Sequence, residues 1–142
     1  MKKIIAANWK LNKGPKQAED FVLGLKPHFA TLPCEVIIFP SAFCLPVVAE
    51  VLRGTPSGFG PQNVYARASG AFTGENSAAV AKELGSTHVL IGHSERRTLF
   101  AESDELIAEK VQLVQGLGMT PVLCIGENLS ERESGKTDQV NR

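Results

Sequence analysis

Short runs of apolar residues recur five times along the chain, and each is followed by a stretch in which apolar residues return every three or four positions. The runs cover residues 3–7, 35–39, 58–62, 87–91 and 120–125. They lack the regular alternation of a strand with one solvated face, which is typical of strands buried on both faces. The run at 58–62 is rich in glycine and is the weakest of the five predicted strands.

The stretches between the runs predict about four amphipathic helices. Their apolar residues share one helix face, and the stripes are Ala18, Phe21, Val22, Leu25 and Phe29; Leu45, Val48, Ala49 and Leu52; Ala78, Ala79, Val80 and Leu84; and Ile107, Val111, Val114 and Leu117. Pro46 is compatible with its helix only if it lies in the first turn. The tail at 134–140 predicts the start of one more helix.

Unbroken alternation of strands and helices predicts an α/β fold with parallel strands and right-handed crossovers. No linker or change of composition divides residues 1–142, so we expect a single domain. Two architectures fit this pattern: an open doubly wound sheet, or part of a closed (β/α)₈ barrel. No Gly-x-Gly-x-x-Gly follows the first strand, which argues against dinucleotide binding. A complete barrel typically needs about 250 residues.

Composition and charge narrow the classes of function. Fifteen basic and fifteen acidic residues give a formal net charge of zero. This balance argues against nucleic acid or an anionic membrane as a partner, since both attract an excess of Lys and Arg. No apolar run reaches the ~18 residues of a membrane span, and the polar residues at 8–10 interrupt the apolar start before a signal peptide core forms. We therefore expect a cytoplasmic protein with no membrane partner.

The three cysteines also favour a cytoplasmic protein. Cys34, Cys44 and Cys124 are odd in number and do not form a Cys-x-x-Cys pair. Neither a disulfide framework nor a metal site is indicated. Each lies among apolar neighbours, which favours free buried thiols in a reducing compartment.

Polar residues follow three of the predicted strands, at 8–10, at 92–97 and at Glu127. Alone, Lys10 is typical of a solvated surface charge and His93 of a structural histidine. In a parallel α/β fold, however, the carboxyl ends of the strands meet at one edge, where binding and catalysis occur. Polar clusters after three strands therefore favour a functional site.

Five segments carry a recognisable set of motifs. Residues 6–10 read AANWK, 70–75 read GAFTGE, 91–97 read IGHSERR, 121–127 read PVLCIGE and 131–137 read ERESGKT. In this order and at these separations they resemble the signatures of the triosephosphate isomerase family. The resemblance covers essentially the whole chain. It implies the amino-terminal half of that family's barrel, through the start of the fifth helix: a partial (β/α)₈ TIM barrel with five parallel strands.

The resemblance also implies a reaction and roles for residues. The family interconverts glyceraldehyde 3-phosphate and dihydroxyacetone phosphate, a step of glycolysis and gluconeogenesis, without a cofactor or metal. By resemblance, His93 is the electrophile, expected to be neutral because it precedes a helix amino terminus that disfavours a cation. Lys10 attracts the phosphate and stabilises the developing oxyanion, and Asn8 helps to bind substrate. Ser94 and Glu95 support them, with Glu95 pairing with Lys10 before substrate arrives.

Partners and missing groups follow from the same resemblance. Thr73, Gly74 and Glu75 correspond to a loop that enters a partner subunit and orders the site from the side. Family members continue for three more strands, which hold the general-base glutamate, a lid and the amides that bind the phosphate. Glu127 and Glu133 do not match the motif of that base. The expected partners are therefore a triose phosphate and either a second copy or a complementing carboxy-terminal half.

Two hypotheses of different classes remain open. In the first, the chain is part of a working isomerase that another segment completes. In the second, it is a truncated, inactive half-barrel whose exposed interior drives self-association. An unrelated phosphate-binding α/β module is a third and weaker alternative, since it requires the whole set of motifs to be coincidental.

Overall fold

The computed structural model describes residues 3–141, in which strands and helices alternate. The strands are β1 (Lys3–Asn8), β2 (Cys34–Phe39), β3 (Gly58–Phe59), β4 (His88–Ile91) and β5 (Thr120–Leu123). The helices are α1 (Pro15–Leu25), α2 (Leu45–Leu52), α3 (Ala78–Glu83), α4 (Ser94–Leu99), α5 (Asp104–Gly116), α6 (Leu129–Glu133) and α7 (Thr137–Val140). None of the helices in this range combines the length and apolarity needed to cross a bilayer.

All five strands are parallel, and strands that are consecutive in sequence are neighbours in space. β1, β2 and β3 form one sheet in that order, and β4 pairs with β5. The two sheets are joined where Thr87 N–H donates to Phe59 O (2.9 Å) and Leu90 N–H to Pro61 O (3.1 Å). A doubly wound sheet reverses its strand order at a switch point, whereas this order proceeds around one curve. The prediction of a partial (β/α)₈ barrel is confirmed.

The two faces of the curved sheet are both apolar, as the runs without alternation predict. Ile37 and Phe39 of β2 and Leu90 of β4 form a buried cluster on the inner face, and Val122 and Cys124 pack against it. The outer face packs against the helices. On that side one cluster joins β2 to α1 and α2 around Ile38, Val22 and Val48, and another joins β4 to α3 and α5 around Val89, Ala78 and Val114.

The third strand is shorter than predicted. Residues 58–62 were expected to be a strand, but only Gly58 and Phe59 pair with β2. Pro61 has no N–H to donate to a ladder. At Gly60 the backbone lies so close to β4 that a Cβ atom would stand 1.5 Å from His88 O. Close approach of two backbones therefore explains the glycine and ends regular pairing there.

The helix prediction is correct for the crossovers and incomplete elsewhere. The four predicted helices correspond to α1, α2, α3 and α5, and Pro46 lies in the first turn of α2 as required. α4, α6 and α7 have four to six residues each. Such helices are too short to show an apolar stripe. Side-chain caps from His93 and Asn128 specify α4 and α6, and α7 lies within the tail 134–140, where the start of a helix is predicted.

A buried ion cluster holds α4 and α5 against the loop after β3. Glu102 Oε1 accepts hydrogen bonds from Lys110 Nζ (2.5 Å) and Arg96 Nε (2.6 Å), and Lys110 Nζ also donates to Asn63 Oδ1 at 2.8 Å. The Lys110 and Glu102 side chains are only 1% and 3% exposed. Burial opposes ionisation of Glu102, but the hydrogen bonds from Lys110 and Arg96 outweigh it and hold its pKa below the usual value.

A different carboxylate organises the segment after β5. Glu127 accepts hydrogen bonds from Arg132 Nε (2.8 Å), Thr137 Oγ1 (3.2 Å) and Asn141 Nδ2 (3.1 Å), so it ties α6 and α7 to the end of β5. A hydrogen bond from its own backbone N–H, followed by those from Arg132 and Asn141, lowers the pKa of Glu127 to about 2. The carboxylate is therefore ionised throughout the range in which proteins usually function.

Substitution of Lys110 by Met tests the buried cluster. The change leaves Glu102 buried with one cation fewer, and removing one partner of a buried ion pair typically costs about 3–5 kcal/mol. We expect the free energy of unfolding, measured by urea denaturation, to fall by that order. Lys26→Met, at an exposed site, is the control and should change it little. Equal, small effects of both substitutions would contradict the account.

Substitution of Glu127 by Gln tests the second carboxylate through pH. Because folding lowers this pKa from 4.5 to about 2, the ionised carboxylate stabilises the fold above pH ~4.5, and the stabilisation is lost as pH falls from ~4.5 to ~2. Glu127→Gln should therefore lower the melting temperature at neutral pH, and the gap to the unmodified chain should narrow in acid. Circular dichroism melts provide the measurement. Glu133→Gln, in α6, is the control variant, and a gap between Glu127→Gln and the unmodified chain that does not depend on pH refutes the prediction.

Candidate active site

The carboxyl end of β1 is fixed by an aromatic anchor. Trp9 is buried, and its ring meets that of Phe21 edge-on at a centroid distance of 5.6 Å. Lys13 Nζ lies 4.7 Å from the Phe21 centroid and 5.5 Å from that of Trp9, within reach of a cation–π contact. Successive side chains of an extended segment point to opposite faces. Anchoring Trp9 among the helices therefore turns Asn8, the last residue of β1, to the opposite face.

Lys10, Glu95 and His93 meet at the rim, the edge formed by the carboxyl ends of the strands. Lys10 Nζ lies 2.5 Å from Glu95 Oε1, and Glu95 Oε2 lies 3.6 Å from His93 Nδ1. The predicted pairing of Lys10 with Glu95 is thus present, across 85 positions of sequence. The hydrogen bond from Lys10 is the main reason that the pKa of Glu95 lies below its usual value. About half of each of these two charged side chains is exposed, so a ligand can reach them.

The hydrogen bond to His93 fixes which of its nitrogens is a donor. His93 is the N-cap residue of α4, and its Nδ1 accepts the backbone N–H of Glu95 at 3.2 Å. A backbone N–H can only donate, so Nδ1 carries no proton in this arrangement. The proton of the neutral imidazole is then on Nε2, which is free to donate to a ligand. This imidazole therefore caps the first turn of α4.

Asn8 and Ser94 lie on either side of this group. Asn8 Oδ1 accepts the backbone N–H of Lys10 at 3.0 Å, which leaves the Nδ2 atom of Asn8 as a donor toward the rim. Ser94 lies beside a cavity of about 320 Å³ between the ends of β4 and β5, together with Gly92, His93, Arg97, Cys124, Ile125, Gly126 and Glu127. Burial raises the pKa of the Cys124 thiol despite the nearby Arg97 charge, so the thiol stays protonated near neutral pH.

Glu127 borders the same cavity but is poorly suited to accept a proton there. Its carboxylate is occupied by Arg132, Thr137 and Asn141, and a pKa of about 2 makes it a weak base near neutral pH. This agrees with its mismatch to the family's base motif.

The predicted interface residues lie on the loop between β3 and α3. Thr73, Gly74 and Glu75 form an exposed turn between β3 and α3, closed by a hydrogen bond from Glu75 N–H to Phe72 O (3.1 Å). Gly74 has a φ of 91°, a conformation that favours glycine. The role of this turn in contact with a partner subunit stays a prediction.

Two contributors to the site were not predicted from the sequence. Gln62 Nε2 donates to Lys10 O and Phe39 O, and the Glu102–Lys110 pair anchors α4 through Arg96. Gln62 is polar and stands at the carboxyl end of the third run, so the rule that selected Lys10 and His93 also applied to it. The ion pair had no comparable signal, since charged residues on a helix are usually solvated.

Comparisons with known proteins agree with this geometry. The sequence model described as triosephosphate isomerase matches residues 3–142. A triosephosphate isomerase of Bdellovibrio bacteriovorus is 58% identical over 140 residues, which cover 99% of this chain and 58% of that protein. One of Symbiobacterium thermophilum is 45% identical, covering 98% of the chain and 55% of the relative. One of Acetivibrio thermocellus is 44% identical, covering 99% and 57%.

The chain spans a little over half the length of these relatives, so the match identifies only the corresponding part of such a protein. The match covers nearly every residue, and it agrees with the parallel strand order and with the polar groups at the rim. The 142 residues belong to the triosephosphate isomerase family and correspond to the amino-terminal part of such a protein.

Proposed function

We propose that this chain supplies the electrostatic part of an active site that interconverts glyceraldehyde 3-phosphate and dihydroxyacetone phosphate. The observation that carries the proposal is the group of Lys10, Glu95 and His93 at one rim, with distances of 2.5 Å and 3.6 Å. The family match supports the choice of substrate. A cation and an imidazole N–H side by side suit a substrate that carries a phosphate and a carbonyl.

Residues at the rim can perform some steps of the reaction, and the other steps require a group from outside these 142 residues. A base removes a proton from the carbon beside the carbonyl, and negative charge develops on the carbonyl oxygen. His93 Nε2–H donates to this oxygen, and Lys10 Nζ attracts the phosphate dianion and the developing charge. Asn8 Nδ2 offers a neutral donor that helps to orient the substrate. The former carbonyl oxygen then gains the proton that the neighbouring hydroxyl oxygen loses, and the base returns its proton to the former carbonyl carbon, which completes the isomerisation.

The base belongs to a segment outside these 142 residues in this proposal. Glu127 is held by three hydrogen-bond donors, and Glu95 is paired with Lys10. A carboxylate from a complementing carboxy-terminal segment, or from the remainder of the same protein, is therefore required. The cavity beside Ser94 and Cys124 is open to receive such a segment.

The proposed location is the cytoplasm, and the proposed partner subunit is a second copy. The three cysteines are free thiols in residues 3–141, as in proteins of reducing compartments. The exposed turn at Thr73, Gly74 and Glu75 is the proposed contact with that second copy.

A second candidate function is a self-associating, inactive half-barrel. Within residues 3–141, β1 pairs with β2 alone and β5 with β4 alone. Apolar side chains at both edges are exposed: Ile4 on β1 (59%), Leu123 on β5 (47%) and Ile125 just beyond β5 (71%). Unpaired strand edges and apolar patches promote association.

The proposal that the general base lies outside residues 1–142 predicts the activity of these residues alone. Loss of a general base typically costs roughly 10²–10⁴ in rate, and loss of the groups that bind the phosphate costs more. A coupled assay should therefore detect little or no isomerisation. Addition of a polypeptide with the remaining strands should restore it.

The restored activity should depend on the rim residues. Lys10→Ala and His93→Gln should each lower it by roughly 10²–10³, whereas Lys82→Ala, an exposed lysine on α3, should not. Turnover by residues 1–142 alone at the level of an intact isomerase, lost on either rim substitution, would show that the base lies within these residues and would overturn the proposal.

The half-barrel candidate predicts an oligomer. Light scattering of residues 1–142 at micromolar concentration should give a mass above that of one chain, because the apolar patches at Ile4 and Ile125 are buried by association. Ile125→Lys should reduce the association, and Val140→Lys, at another exposed apolar site, serves as the control. A monodisperse species with the mass of one chain contradicts this candidate.

A further inference from the structure

The loop that carries Lys10 has an unusual backbone. Lys10 and Lys13 have φ angles of 54° and 70°, in the left-handed region that residues other than glycine seldom adopt. Such a conformation is strained and persists only where the surroundings hold it. The groups that hold Lys10 in this conformation therefore bear on its function.

Side-chain amides hold the Lys10 backbone on both sides of its Cα atom. Asn8 Oδ1 accepts the Lys10 N–H at 3.0 Å, and Gln62 Nε2 donates to the Lys10 carbonyl at 2.8 Å. Fixing both peptide groups fixes φ and ψ together. The direction of the Lys10 side chain is thereby set, and it leads to Glu95.

Gln62 also ties this loop to the neighbouring strand. Its Nε2 donates to Phe39 O at 3.0 Å, and the same carbonyl accepts the Trp9 N–H at 3.1 Å. One NH₂ group thus bridges the carboxyl ends of β1 and β2 from the segment that follows β3. Two acceptors on one nitrogen require two N–H donors on that nitrogen, which glutamate and methionine lack.

We propose that Gln62 is a positioning residue whose amide holds the left-handed backbone of Lys10 and thereby directs Lys10 Nζ toward Glu95 and His93. The inference deepens the proposed function and rests on it for the catalytic meaning of Lys10. Without the amide, the loop relaxes to a common conformation and Nζ moves away from Glu95. A purely structural role for Gln62 would instead lower stability and leave Nζ where it is.

The titration of Glu95 distinguishes the two roles. Lys10 is the main cause of its lowered pKa, and His93 contributes less. Carbon-13 NMR of the side-chain carboxyl carbons in the full chain follows this titration directly. The variants are Gln62→Met, Lys10→Met as the limit in which the cation is absent, and Gln115→Met on the exposed face of α5 as the matched control.

We expect Gln62→Met to raise the pKa of Glu95 by more than half of the rise caused by Lys10→Met, and Gln115→Met to leave it unchanged. Far-UV circular dichroism confirms that each variant is folded. If Gln62→Met does not fold, Gln62→Asn keeps an amide at the site but is one methylene too short for both carbonyls, and the same rise is expected. An unchanged Glu95 pKa in a folded Gln62 variant overturns the proposal. This readout needs no turnover, so absence of isomerase activity after the remaining strands have been supplied, together with a raised Glu95 pKa, would refute the proposed function alone.

Discussion

The parallel, sequential order of the strands is the constraint on which the rest of the structure depends. Each strand has its sequence neighbour beside it, so the crossovers place α1, α2, α3 and α5 on the outer face and the carboxyl ends of the strands on one rim. Lys10 and Glu95 are 85 residues apart in sequence, and their contact at 2.5 Å exists only because of this order. The rim, and with it the candidate active site, is a consequence of topology.

Polar groups at the rim need a rigid support, and the structure provides it through contacts away from the rim. Trp9 packs among the helices and holds the end of β1. On the other side, Arg96 and Lys110 converge on Glu102 and hold α4, whose first turn is capped by His93. The two halves of the site are thus fixed by different means, one apolar and one ionic.

The sequence predicts the strands and crossover helices well because buried strands and helix stripes are periodic signals. It fails at Gly60, where a backbone approach to His88 shortens β3, since such an approach depends on tertiary packing. Lys10, His93 and Glu95 are found because they follow predicted strands. Glu102 and Lys110 are not, because a charged residue gives no sign of burial until the loop at Asn63 folds over it. The left-handed backbone of Lys10 likewise has no signature in the residue itself.

Central to the proposed function is that His93 offers a substrate oxygen a neutral imidazole whose donor is Nε2. Nitrogen-15 NMR of the His93 ring in the full chain tests it most directly, because the chemical shifts of the two nitrogens report which one carries the proton in the neutral form. Since Nδ1 accepts the Glu95 N–H at 3.2 Å, the account predicts a protonated Nε2 and an unprotonated Nδ1. A neutral His93 ring protonated on Nδ1 would contradict it.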